Sequence, residues 1–409
     1  MNIRIPVLFL FILFALPVSG AEKTRYSLDE LISIGLEKNP TIHAGGEDIL
    51  AKKAAYQASK RLFNPSISYE KGEAEAYDGS IVRSTEGFSL SQPIENPFSR
   101  HFRIEIQKSR WDASLFQHQF LQREVVFEIK KLFYKILLLQ NHLAAAEKNG
   151  ESIQETYFLI KKRAQAGEVK ELEAIKLHVE TLKARNQVNL LQTELVMAKD
   201  SLNKFLGNAL SSEFILSGEL AYKPLSLDET KIIHHTLSSH PRIKEKKIEL
   251  EMGKSRLNLA KWQWIPGFEL SAFSRKELDG TNRGFGISLG IPLWNQKTKA
   301  VKEAGHMVSK FISELSALEI ELETQLKEDL LQFLLSEKTL SLFHEGLLQQ
   351  ADESTRISRL SYSQGEISLI DYLDSMRTQY MILIDYQESL FHWNLSKAAL
   401  EKNIGEELR

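Results

Sequence analysis

The 409-residue chain contains no cysteine, which removes disulfides, thiolate nucleophiles and thiolate metal ligands at once. It also removes a lipid-modified cysteine as an anchor for an exported chain. Past the first twenty residues no run approaches eighteen unbroken apolar positions, so no membrane-crossing helix is expected. Neither sign of charge prevails: 52 basic against 54 acidic residues leave a formal net charge of −2, and nucleic acid is not an expected partner. Signatures of catalysis are missing too. There is no phosphate-cradling glycine loop, no GxSxG and no HExxH, so neither an enzyme nor a cofactor is expected. The 11 histidines include His234, His235 and His240, but no HxxxH or acidic partner spacing accompanies them. They read as surface histidines, and no metal site is expected.

What is present begins with an export signal. In Met1 to Gly20, Arg4 forms a short positive region, Val7 to Leu16 an apolar core, and Val18-Ser19-Gly20 a small-residue cleavage site before Ala21. Beyond it the chain says nearly the same thing twice. Ser27-Leu28-Asp29-Glu30 returns as Ser226-Leu227-Asp228-Glu229, Asn39-Pro40 as His240-Pro241, and Asn64-Pro65 as Ile265-Pro266. Ala166-Gly167-Glu168 returns as Gln364-Gly365-Glu366, and Phe205-Leu206-Gly207 as Asn403-Ile404-Gly405. The offset stays near roughly 200 residues, the mark of an internal duplication. The expected units are a signal peptide (1–20), a first repeat (21–207), a linker (208–225) and a second repeat (226–409).

Each repeat orders its elements helix, strand, strand, very long helix, turn, helix. The strands are expected over about 65–73 and 85–93, and again over about 267–275 and 284–292, from period-two alternation. In the last of these, Phe285, Ile287, Leu289 and Ile291 share one face and Gly284, Gly286, Ser288 and Gly290 the other. An apolar face backed by glycine and serine suits a membrane β-barrel with lipid outside and water inside. Trp262, Trp264 and Trp294 flank this hairpin where an interfacial aromatic girdle belongs.

The long helices are expected over about 103–166 and 297–364, on apolar spacings such as Leu315, Leu318, Leu322, Leu326, Leu330 and Phe333, then Ile370, Leu373, Tyr380, Leu383 and Leu390. At 1.5 Å per residue the first is roughly 95 Å long, and the helices on either side of it sum to about 91 Å. Two shorter helices stacked end to end would match the long one beside them, forming a rod or a tube wall. Gly167 and Gly365 are the expected hairpin turns. Asn149-Gly150 and Glu345-Gly346 are the alternatives. Four strands cannot close a membrane barrel, whose smallest form has about eight and which tolerates no open edge. The strands must be pooled between subunits, twelve in a trimer or eight in a dimer, and small inward residues favour twelve.

These features resemble the outer-membrane efflux proteins of the TolC family across essentially the whole mature chain. The residues carrying the resemblance are the duplicated frame and above all Tyr362-Ser363-Gln364-Gly365-Glu366-Ile367-Ser368-Leu369-Ile370-Asp371-Tyr372-Leu373-Asp374, with a weaker first copy from Arg163 to Glu173. The resemblance implies a mainly α fold with a β-barrel part: a homotrimer whose twelve-stranded outer-membrane barrel continues as a periplasmic α-helical barrel. It implies a passive exit duct, working with a periplasmic adaptor and an inner-membrane pump of the resistance–nodulation–division type. The short chain and compact linker are similar to the subgroup that exports heavy-metal cations. Drug efflux, type I protein secretion and a pore-less periplasmic coiled-coil scaffold are the other readings. Carried onto this sequence, the resemblance makes Gly167, Glu168, Gly365 and Glu366 adaptor-contacting tips. It makes Tyr362, Asp371, Asp374 and Glu173 the entrance constriction. The chain departs at Ile367, where family members with a well-defined gate often place an arginine. Asp371 and Asp374, at i and i+3, share a helix face, so a trimer would gather six carboxylates around one axis. Such a ring attracts cations, and crowding is expected to raise some of its pKa values.

Overall fold

The computed structural model describes residues 24–408 apart from 76, 78, 80, 81, 212, 226 and 295. The expected signal peptide lies outside them, as do Asp78 in the first hairpin's loop and Ser226 at the start of the second repeat.

The first repeat opens with β1 (Thr24–Tyr26) and α1 (Leu28–Lys38), whose Ser27 and Glu30 form a reciprocal capping box. Asn39 then starts α2 (Pro40–Ser59), accepting from the backbone N–H of Thr41 at 2.8 Å, while Pro40 occupies the first helical position. A hairpin follows, β2 (Ser66–Glu75) and β3 (Val82–Ile94). The next helix, α3 (Pro97–Gln165), runs for 69 residues, about 104 Å at 1.5 Å per residue. It begins six residues before the expected position 103, because Asn96 accepts from Phe98 N–H and Pro97 sits at N1. Asn96-Pro97 thus starts a helix as much as it ends a strand. Gly167 (φ 78°) reverses the chain into α4 (Glu171–Phe205).

The linker contributes β4 (Phe214–Leu216), which pairs in parallel with β1. The second repeat then gives α5 (Glu229–Ser239), α6 (Pro241–Trp262), β5 (Phe268–Lys276) and β6 (Thr281–Leu289). The fourth strand lies earlier than the expected 284–292. Thr281 already pairs with Lys276 across a tight turn, and the ladder ends where Leu289 faces Phe268, short of Pro292, which has no N–H to offer.

The long helix expected over 297–364 is interrupted. It comprises α7 (Thr298–Leu342), a π-type turn (Phe343–Leu347) and α8 (Leu348–Gln364). Gly346 adopts φ 111°, which a side chain would resist. His344 stacks on Tyr222 of the linker and Phe343 packs against Tyr386, so the break is held in place by neighbours. Gly365 (φ 80°) makes the hairpin turn into α9 (Leu369–Ile404).

α3 packs against α2, α4, α6 and α9, and α7 packs against α6 and α9. The principal core gathers α1, α3, α4, α7, α9 and the linker around Ile129, Phe333 and Trp393. A smaller one, with Ile160, Leu177, Tyr372 and Leu373, stabilises the hairpin tips. Most of the expected α7 stripe is buried, but Ile370 on α9 is 60% exposed.

Candidate functional site

The sheet orders its strands β2-β3-β5-β6, antiparallel throughout, with β2 and β6 as free edges. Residues directly opposite share a face. Register therefore joins Ile67, Leu90, Ala272 and Phe285 in one row and Ser66, Ser91, Ser271 and Gly286 in a row of the opposite face. On the first face Ile67, Phe285 and Ile287 are 78%, 92% and 76% exposed. Among the described residues nothing covers this apolar surface. On the second face Ser68 and Ser89 hydroxyls meet at 2.8 Å and Arg275 pairs with Glu70 at 3.5 Å. Because the strands are antiparallel, the three tryptophans stand at one end of the sheet. Trp294 is 93% and Trp264 57% exposed. Trp262 is half-buried, its ring stacked on Phe98 at 4.0 Å.

At the opposite end of the molecule, Gly167 and Gly365 close equivalent turns. Glu168 N–H donates to Arg163 O and Glu366 N–H to Ser361 O, both at 2.9 Å. A Cβ at either glycine would meet nothing within 4 Å, so glycine answers to the left-handed backbone and not to crowding. Glu168 and Glu366 are exposed, and Glu168 is paired with Arg163 at 3.0 Å.

The structure brings Tyr362 and Glu173 together. The Tyr362 hydroxyl donates to Glu173 Oε2 at 3.2 Å, joining α8 to α4 across the two repeats. Its ring stacks on Tyr372 at 5.5 Å. Burial and the Glu173 charge push the phenol up to about 12. Asp371 is elsewhere engaged. It forms a capping box at the start of α9, accepting from Ser368 Oγ at 2.7 Å and from Ser368 N–H at 3.1 Å. Within one chain those bonds hold its carboxyl below the usual range. Asp374 is exposed. Ile367, where an arginine would be usual, packs against the tip core beside Tyr362. Sequence reasoning missed the ion pair of Arg377 with Glu180 at 2.7 Å, which ties α9 to α4. Opposite charges at an offset near that of the duplication were its one visible signal.

The histidines divide. His234 and His235 are exposed, but His240 is fully buried, contrary to the surface placement expected of it. It caps α6 through Nδ1, which accepts from Arg242 N–H at 3.2 Å. Among the described residues no group of His, Asp and Glu could hold a metal ion, and no helix is long and apolar enough to cross a membrane.

Residues 31–208 match the family model described as outer membrane efflux protein. Over those residues the chain is similar to the outer membrane efflux proteins. The family is one of outer-membrane channels and not of enzymes. The fold extends the likeness to both halves. CusC, whose structures concern folding and transmembrane channel formation, superposes with a TM-score of 0.80 at 14% identity over 93% of this chain and 92% of that one. The Vibrio cholerae outer membrane protein VceC gives 0.78 at 13% identity over 93% and 97%. The Campylobacter jejuni outer membrane channel CmeC gives 0.75 at 17% identity over 99% and 94%. Comparison with curated proteins gives no match.

Proposed function

We propose that three copies of this efflux protein assemble into an exit duct, pooling their sheets into a twelve-stranded outer-membrane barrel and their helices into a periplasmic α-barrel. The observation that carries this reading is the four-stranded sheet with two free edges and one bare apolar face. Such a sheet is stable in lipid only when its edges are paired by other copies. Exposed apolar residues on the outermost helices support the same assembly: Leu172, Ile175, Val179 and Leu182 on α4, and Ile320, Leu331 and Leu335 on α7. Residues 1–20 act as the export signal, and 21–207 and 226–409 as two repeats joined by the 208–225 linker.

The duct completes a tripartite system. Gly167, Glu168, Gly365 and Glu366 present the tips to a periplasmic adaptor, and an inner-membrane pump of the resistance–nodulation–division type supplies the energy. Tyr362 and Glu173 restrain the entrance, and the acidic Glu173 and Asp374 favour cations there, which supports heavy-metal cations as cargo. Trp264 and Trp294 contact outer-membrane lipid. Membrane fractionation and cross-linked mass in detergent test the proposal. A heat-sensitive species of three chains in the outer membrane is the expected result; a soluble periplasmic monomer would overturn it.

A further inference from the structure

The inward row of β5 is laid along the wall instead of standing out from it. Glu269, Ser271, Phe273 and Arg275 share the polar face, and the last three each lie over a glycine of a neighbouring strand. Ser271 Oγ donates to Gly286 O at 3.3 Å and stands 2.7 Å from where a Cβ on Gly286 would be. Arg275 crosses Gly87 of β3 to reach Glu70 of β2. Phe273 lies on Gly284 of β6: a Cβ there would come within 2.8 Å of the ring's Cζ and 3.1 Å of Cε1. Gly284 is absent from the positive-φ glycines, so its backbone would accept any residue and only the ring overhead demands glycine.

Phe273 is the one aromatic residue among the paired positions of this face, whose other members are mainly serine, glycine and a few charged or polar groups. Despite the open face, it is only partly exposed, whereas Phe285 on the apolar face is almost fully so. The covered glycine accounts for the difference. An aromatic ring resting on a cross-strand glycine keeps its apolar area against the backbone.

We propose that Gly284 is the seat of Phe273, and that this seat keeps the barrel end of the duct open to cargo that a lifted ring would exclude. This rests on the trimeric channel reading: three rings at one level lie flat on the wall and leave the bore to small hydroxyl and glycine residues. A methyl group on Gly284 lifts all three rings into the lumen together. A methyl group on Gly286 meets only the movable Ser271 hydroxyl and leaves the bore as it was.

To read the outer end separately from the entrance, it is sized with polyethylene glycols of graded mass added from the barrel side in planar bilayers. The largest polymer that enters is expected to become smaller in Gly284→Ala, to stay unchanged in Gly286→Ala, and to recover in the double variant Gly284→Ala/Phe273→Ala. The single variant Phe273→Ala is expected to change the cut-off little, since a ring already on the wall obstructs little. An unchanged cut-off in a heat-sensitive trimer of Gly284→Ala overturns the proposal. So does a double variant as narrow as the single one, or a large widening by Phe273→Ala alone, which needs no tolerance at position 284. Wild-type protein that forms no pore would sink the channel reading itself, a result distinct from any of these.

Discussion

His240 stands where the first repeat has Asn39, and the two residues do one job with different chemistry. Both cap the helix that follows, but only His240 can acquire a charge. Burial, then the positive charges of Arg123, Arg242 and Lys402, depress its pKa to about 4 from the ordinary 6.5. The fold therefore prefers the neutral ring. That contribution is complete above about pH 6.5 and is lost as the pH falls toward about 4. His240→Asn, which copies the first repeat, is expected to flatten the drop in apparent Tm between pH 7.5 and pH 4.5. Parallel curves for variant and wild type would show that acid acts elsewhere. At the entrance, Tyr362→Phe removes the bond to Glu173, worth about 1 kcal/mol. Single-channel recordings are expected to show larger or more frequent openings; an unaltered conductance would make the bond structural only. Selectivity is best read from Asp374→Asn, because Asp371 also caps α9 and its substitution mixes stability with charge. Asp374→Asn is expected to lower the preference for cations over anions in reversal-potential measurements.

The elements differ in how far local pattern dictates them. The hairpins and long helices were legible because alternation and helical spacing persist over many residues, and Asn-Pro steps mark their starts. The β1–β4 pair was not legible: three residues at the start of the first repeat and three in the linker meet through tertiary packing, with too short a pattern to register. The break at Gly346 was legible only as an alternative hairpin turn, on equal terms with Gly150, which at the matching place in α3 continues as helix. What separates them is company, the linker ring of Tyr222 beside His344. The capping of α9 by Asp371 was readable as Ser368-x-x-Asp371, yet the same carboxylate was assigned to the entrance. The turn glycines also rank themselves. Gly365→Ala meets only backbone strain of about 1 kcal/mol. Gly207→Ala would add a contact of 2.8 Å with Lys38 O, and Gly405→Ala a clash with the Arg123 guanidinium. Apparent Tm is expected to fall least for Gly365→Ala, and an equal fall at all three positions would refute this ordering.

At the scale of the whole molecule, the absence of cysteine makes the assembly directly testable. A chain carrying one cysteine on β2 and one on β6 has no other thiol to confuse the result. Oxidation of facing pairs is expected to give a ladder that ends at three chains. A ladder that ends at two would favour an eight-stranded barrel and contradict the trimer.

The two repeats, alike in order, are unlike in stiffness. Along one flank α3 is an uninterrupted strut; along the other, α7 and α8 meet at an elbow whose pivot is a single residue without a side chain. A sideways pull at the far tips meets an unbroken helix on the first flank and, on the second, a bend that the Tyr222 and Tyr386 contacts must hold. Any widening there would be borne by one leg of each subunit while its twin stands still.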